Sequence, residues 1–340
     1  MEKIRRKAVT MEDVAKEAGV SVTTVSHVIN QTARITEETS DRVRQAIGKL
    51  GYIPRPSADL NRGQRIIGVF VPEISNEFYA RSIQAVFQAA WERDYAVMVC
   101  SMEHRRQAES RYIRSLLQSG VKGLIFFGGS MENDQQIIHA AKKVPVVLGD
   151  RRMPNVPIDT VGTDNQDAMR RLIGRLARAG YSRIGYVSED LIMSNCTDRY
   201  QGFLQGMAEN GLAVEERWVF LRPELRLNKA EGAYRLFLPL ERFRPLPQIF
   251  VCTSDLIAMG LIAALKSGGL HVPRDVGVVG FDDISIAAFY DPPLTTIAQD
   301  MRQLGRSCFQ ALLNRMENRN QTTQDVLIKA KIVIRDSVRL

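Results

Sequence analysis

The stretch "VTTVSHVINQ", Val22 to Gln31, carries on one side the residue types that read a nucleic-acid groove. On a helix turning about 100° per residue, Val22, Val25, Val28 and Ile29 share one face, and Thr23, His27, Asn30 and Gln31 the other. Thr24 and Ser26 flank the polar face. Propensity alone reads this β-branched run as a strand, but its apolar spacing is helical and not alternating. Short hydroxyl side chains let a helix approach a phosphate backbone closely, and imidazole and amide groups donate or accept at base edges in the major groove.

A second set of chemically able residues stands at the ends of short apolar runs. Asp150 and Arg151 follow "VPVVLG", Asp255 follows "VCTS", and Asp282 and Asp283 follow "VVGF". Asn76 and Phe78 follow the first such run, and Arg199 opens a helix beyond "YVSEDLIMSNCTD". Carboxylates and a guanidinium around an aromatic ring suit bidentate hydrogen bonding to a small polyhydroxylated molecule. If the runs are parallel strands, their carboxyl ends are where such a ligand binds. Asp255 has a second reading, as the cap of the helix "LIAMG", and Asp283 reads as structural. Trp218 reads as packing and Arg152 as solvated.

These residues need elements to hold them. Thr10 followed by Asp13 forms a capping box, and Gly19 suits a left-handed helix stop. Ser21 caps a second helix over Val22 to Asn30, and Thr36 a third, with Glu37 and Glu38 in its first turn and Gly51 at its end. Val14, Ala15, Val20, Val25, Val28, Ile29, Val43, Ile47 and Leu50 make one small core. Two helices joined by a tight turn are a helix-turn-helix. After Tyr52, "IPRPSADLNRGQR" reads as a linker.

From Ile66 onward, apolar runs of strand length alternate with amphipathic helical stretches near 78–93, 105–119, 132–142, 165–180, from 198, 229–237 and 255–267. Continuous apolar strands alternating with helices mean parallel sheets covered on both faces. The series occurs twice, so the fold class is α/β, with a three-helix headpiece and two doubly wound lobes around a cleft. The expected division is headpiece 1–52, hinge 53–65 and core 66–340. Lobe 1 then takes 66–162 and 293–324, and lobe 2 takes 163–292 and 325–340, with crossings near 161–164, 292–300 and 322–330.

Charge agrees with a module that meets a polyanion. Of the net +8, residues 1–65 hold 12 Lys+Arg against 8 Asp+Glu, half of the excess in a fifth of the chain. The four cysteines lie far apart, as in a reducing compartment. No apolar run is long enough to span a membrane and no secretory signal is read, so a cytoplasmic location is expected. No GxGxxG, Walker A or GxSxG motif occurs, and the four histidines lack metal-ligand spacing, so neither an enzyme, a cofactor nor a metal is expected. A solute-binding transport receptor also has two lobes, but it has no use for the headpiece.

"VTMEDVAKEAGVSVTTVSHVINQTARITEETSDRVRQAIGKLGYIP" resembles the headpiece of the lactose/galactose repressor family of bacterial transcription regulators. The resemblance runs on through "GVFVPEISNEFY", "VPVVLGDR", "RYQGF", "SDLIAMG", "VVGFDD", "PPLTTI" and "IVIRDSV", essentially the whole chain, with a core like that of periplasmic binding proteins. It implies a homodimeric repressor that binds an inverted-repeat operator and answers to a small-molecule effector, a sugar or related polyol being favoured. It further implies base contacts from Thr23, Thr24 and His27, backbone or mixed contacts from Ser21, Ser26 and Asn30, and Tyr52 near the backbone. Thr10 joins these candidates. For the effector it implies Asn76, Phe78, Asp150, Arg151, Arg199, Asp255 and Asp282. Two positions depart from the family pattern. The hinge leucine that wedges into the minor groove stands nine residues after the tyrosine, where this chain has Asn61, so Leu60 is the candidate wedge one position early. Ser254 stands where many sugar-responsive members carry Asn.

Overall fold

The computed structural model describes residues 9–30, 33–52, 65–103, 105–128 and 134–339. The chain divides into two units, Met1–Gln64 and Arg65–Leu340. Of the expected hinge only Arg65 is described, so Leu60 lies outside the described residues.

In the first unit, α1 (Met11–Ala18), α2 (Val22–Asn30) and α3 (Glu37–Leu50) pack around Val14, Val25 and Val43, none of which is exposed. Their starts and stops follow local chemistry. Thr10 Oγ1 accepts from the Asp13 amide (3.3 Å) while Asp13 Oδ2 accepts from the Thr10 amide (2.8 Å), closing the capping box. Gly19 ends α1 at φ 66°, a conformation that costs other residues a Cβ clash. Ser21 Oγ then accepts from the Thr24 amide (3.0 Å) and starts α2. Two expectations fail here. Thr36 precedes α3, but its hydroxyl donates to Thr39 Oγ1 (2.8 Å) and accepts from no helix amide. Val22, on the apolar face of the wheel, is 40% exposed because it sits in the first turn, beyond the reach of the bundle.

The second unit holds two sheets of six described strands each. Lobe 1 contains β1 (Ile66–Val71), α4 (Glu77–Trp91), β2 (Ala96–Ser101), α5 (Arg106–Gln118), β3 (Gly123–Phe127), α6 (Asp134–Ala141), β4 (Val146–Gly149) and β5 (Asp159–Thr163). Lobe 2 contains α7 (Asn165–Arg178), β6 (Ile184–Ser188), α8 (Ser194–Glu209), β7 (Val219–Leu221), α9 (Lys229–Phe237), β8 (Ile249–Cys252), α10 (Asp255–Ser267), β9 (Gly277–Asp282) and β10 (Thr295–Ala298). The chain then returns to lobe 1 for α11 (Met301–Glu317) and β11 (Asp325–Ile328), and ends in lobe 2 with β12 (Lys331–Val333). The strand orders are β11-β5-β4-β3-β1-β2 and β12-β10-β9-β8-β6-β7.

Backbone pairing moves two lobe limits. Thr295–Ala298 still pairs with β9, so lobe 2 extends past 293, and Asp325–Ile328 pairs with β5, so lobe 1 extends past 324. Strand β12 runs antiparallel to β10, an exception to the all-parallel expectation. Strand β2 is apolar in sequence yet half open, with Met98 43% exposed, because it is an edge strand. Helix α8 begins at Ser194, four residues before its expected start at 198.

Two close helix approaches set up the cleft. A Cβ on Gly202 would lie 2.3 Å from Gln166 O, so only glycine lets α8 lie against α7 and bring Arg199 beside Asn165. A Cβ on Gly260 would lie 2.0 Å from Ala230 O, so α10 presses against the first turn of α9, where Lys229 stands.

Candidate functional site

The polar face of α2 is ordered by short bonds along the helix. Thr23 is exposed. Thr24 Oγ1 lies 2.9 Å from Ser21 Oγ, and Asn30 Nδ2 donates to Ser26 Oγ (3.1 Å). His27 is half-buried one turn along. Thr10 uses its hydroxyl in the α1 cap, donating to Asp13 Oδ2 (2.7 Å), and Tyr52 packs against the headpiece core. The face therefore offers hydroxyl, imidazole and amide groups whose positions are already restricted, on a helix anchored by Val25.

In the core, the carboxyl ends of the two sheets face each other. Asp150 follows β4 with φ 52°, and Asp282 ends β9 with φ 123°. Both are strained positions for a residue with a Cβ, and such strain clusters at ligand sites. Arg199, on α8, is within electrostatic reach of both. Its Nε donates to Asn165 Oδ1 (2.8 Å), its Nη1 to Thr253 O (2.7 Å), and its guanidinium stands 3.8 Å from the centre of the Phe281 ring. Asn165 donates to Thr163 O (3.1 Å), the Thr163 hydroxyl to Gln299 Oε1 (2.5 Å), and Gln299 Nε2 to Asp282 Oδ1 (2.7 Å). One hydrogen-bond chain thus runs from Arg199 through two crossing segments to Asp282. Asp150 reaches across the cleft, accepting from Asn195 Nδ2 (2.7 Å), while its Oδ1 is buried without a partner.

Burial raises the Asp150 carboxyl to about 6 and the Asp282 carboxyl to about 7, against the pull of Arg199 on both. Burial acts to lower the Arg199 pKa, but Asp150 and Asp282 outweigh it and the net direction is upward. Desolvation, together with Asp150, Glu189 and Asp282, holds the Tyr79 phenol well above its ordinary value.

The expected effector residues therefore divide. Asp150, Arg199 and Asp282 come together. Arg151 turns into lobe 1, where it donates to Gly128 O (3.1 Å) and pairs with Asp134. Asp255 is enclosed in lobe 2, accepting from the Ile284 amide (2.9 Å) and the Thr296 hydroxyl (2.5 Å). Both of its oxygens are engaged inside lobe 2, and it is not the helix cap. Ser254 is the cap, through the Ile257 amide (3.2 Å). Asn76 caps α4, with its Oδ1 accepting from the Phe78 amide (3.0 Å), and Phe78 joins the lobe 1 core. Arg152 is not solvated alone: it pairs across the cleft mouth with Asp198 (2.5 Å). Asp283 binds Arg335 (2.7 Å), and Trp218 is buried with Nε1 donating to Pro245 O (2.8 Å), as structural and packing residues respectively.

Tyr79, Asn165, Glu189, Asn195, Lys229 and Gln299 were not singled out from the sequence. Glu189 was accessible to the strand-end argument, since it directly follows "RIGYVS". The others sit at helix starts and crossings with no local pattern to mark them.

Comparison with known proteins agrees with this architecture. Residues 10–55 match the model for bacterial regulatory proteins of the lacI family, and residues 173–338 that for a periplasmic binding protein-like domain. The chain is 30% identical over 339 residues to the HTH-type transcriptional repressor CytR of Escherichia coli, covering 99% of this chain and 98% of that one. It is 31% identical over 338 residues to the repressor PurR of Photobacterium profundum, covering 97% and 98%. Among solved structures, the Lac repressor bound to ONPG in the repressed state superposes with a TM-score of 0.73 at 26% identity, over 98% of this chain and 100% of that one. The complex of the regulator CelR with cellobiose gives 0.72 at 25%, over 97% and 99%. The chain belongs to the lacI family of bacterial regulatory proteins. It is a DNA-binding transcription regulator and not an enzyme.

Proposed function

We propose that this chain is a cytoplasmic repressor that binds an inverted-repeat operator as a homodimer and releases or tightens on it when a small polyhydroxylated effector enters the interlobe cleft. The observation that carries the reading is the meeting of Asp150 from lobe 1 and Asp282 from lobe 2 around one buried Arg199. A ligand bridging these groups changes operator affinity only as far as it prefers one lobe arrangement over the other. The Lac repressor has been seen as a dimer bound to operator and an anti-inducer, and CelR with cellobiose, which supports both halves of the reading. On the DNA side, Thr23, Thr24 and His27 read bases, Ser21, Ser26 and Asn30 make backbone or mixed contacts, Tyr52 lies near the backbone, and Thr10 joins the DNA-contacting set. Half-sites one helical turn or a multiple apart match a two-fold dimer.

The test is fluorescence anisotropy of the full chain on an inverted-repeat duplex and on random duplex, across a salt series. Tighter binding to the repeat is expected, with a steep salt dependence on both. Equal affinity for the two duplexes would overturn the reading. A thermal-shift panel of sugars, polyols and nucleobases then finds the effector, since a ligand of the native state raises its stability.

A further inference from the structure

We propose that the Glu189–Lys229 ion pair makes the interlobe cleft selective for an uncharged or cationic, hydroxyl- or amine-rich effector and against phosphorylated or carboxylated ones. The inference rests on the cleft being the effector site. Glu189 directly follows β6 and Lys229 opens α9, and their paired side chains are only 15% and 13% exposed.

Glu189 is not confined to its own lobe's chemistry. Its carboxylate acts on Asp150 and Tyr79 of lobe 1 and on Cys196, and the Thr253 hydroxyl donates to it (3.4 Å). Arg199 and Lys229 both draw its pKa down against burial. Lys229 in turn is within electrostatic reach of Asp282 and Cys196. The pair therefore belongs to the same cluster as Asp150, Arg199 and Asp282.

With every carboxyl ionised, as above about pH 7, that cluster sets three carboxylates (Asp150, Glu189, Asp282) against two cations (Arg199, Lys229), a net formal charge of −1. Both cations already hold partners inside the protein. Lys229 is occupied by Glu189, and Arg199 is fixed by Asn165 and Thr253 with carboxylates on both sides. What the cluster offers instead is acceptors. Asp150 Oδ1 is buried with no hydrogen bond, and a buried acceptor left unsatisfied is costly until a donor arrives. A ligand hydroxyl or ammonium supplies that donor, whereas a phosphate oxygen brings repulsion from three sides. Exclusion by built-in repulsion is an ordinary source of specificity.

Inorganic phosphate is the probe, read by thermal shift and titration calorimetry on the full chain. The wild type is expected to show no phosphate-dependent stabilisation. The double variant Glu189→Gln/Asp150→Asn, with a formal cluster charge of +1, is expected to bind phosphate roughly tenfold or more tighter than the wild type. Glu189→Gln alone, at zero, should fall between them and serves if the double variant does not fold. Phosphate binding by the wild type that Lys229→Met abolishes would overturn the proposal, as would native-like variants that gain no phosphate affinity. Operator binding by the wild type is measured alongside. Its absence would refute the regulator reading while leaving the charge result to stand or fall separately.

Discussion

The α2 face and the interlobe cleft solve opposite problems. The α2 groups come from ten consecutive positions, stay at the surface, and are steadied by partners three or four residues away, as Ser21 steadies Thr24 and Ser26 steadies Asn30. The cleft groups come from β4, α8, β9 and two crossing segments, are buried, and are held by partners far away in sequence, as Asn165 holds Arg199. A duplex brings its own charge and a groove of fixed shape, so its reader needs only a solvent-accessible row of donors and acceptors. A small effector loses its water on binding, so its site must already contain charged groups in dry surroundings. Holding Asp150 and Asp282 in the cleft costs backbone strain, and their burial raises both carboxyl pKa values against the pull of Arg199.

That contrast can be broken or sharpened. The largest effect is expected from Arg199→Met, which leaves Asp150 and Asp282 without their shared cation. It should destabilise the core by about 3–5 kcal/mol in denaturant unfolding, and a loss within error of zero would mean that the cleft does not depend on its buried cation. Next is pH. The folded core holds protons on Asp150 and Asp282 that the unfolded chain gives up above about pH 4. Stability should therefore fall as pH rises from there through about 6 and about 7, the two raised values. The slope is about 1.4 kcal/mol per pH unit for each proton involved. Asp282→Asn should remove the upper part of the decline, and stability rising over this window would contradict the assignment.

On the DNA side the effects are smaller. His27→Ala should weaken operator binding by about 1–3 kcal/mol and leave random-duplex binding nearly unchanged. Equal losses on both duplexes would deny it a base-reading role. Smallest is Ser21→Ala, expected to cost the headpiece about 1 kcal/mol of stability through the lost α2 cap. Thermal melting of the variant tests it, and an unchanged headpiece transition would show that Thr24 finds another partner.

Legibility differed between the two regions for the same physical reason. The capping box at Thr10, the stops at Gly19 and Gly51 and the core valines Val14, Val25 and Val43 all follow from neighbours within a turn or two. Two readings fail there: the Thr36 hydroxyl turns to Thr39, and Val22 faces the right way on the wheel but lies past the bundle's edge. In the core, the alternation of strands and helices is legible, Asp150 and Asp282 stand at strand ends where a general rule points, and Arg199 lies on α8 beyond β6. The same rule put Asp255 and Arg151 beside them, and nothing in the local sequence says that Thr296 and Ile284 enclose the first while Gly128 and Asp134 take the second. The lobe limits at 293 and 325 slipped because pairing of β10 with β9 and of β11 with β5 is decided across the sheet.

By itself, the sequence determined the helical phase of α2, the two-lobed α/β architecture and the family to which the chain belongs, since each depends on periodicity, capping or motif order along the backbone. Only the tertiary structure decided which charged side chains share the cleft, that Glu189 and Lys229 are among them, and that Asp150 keeps one oxygen without a donor. Those outcomes turn on burial and on partners from distant segments. Gly202 and Gly260 show how fine the control is: removing one Cβ at each helix crossing is what lets α8 and α10 come close enough to set Arg199 and Lys229 in place.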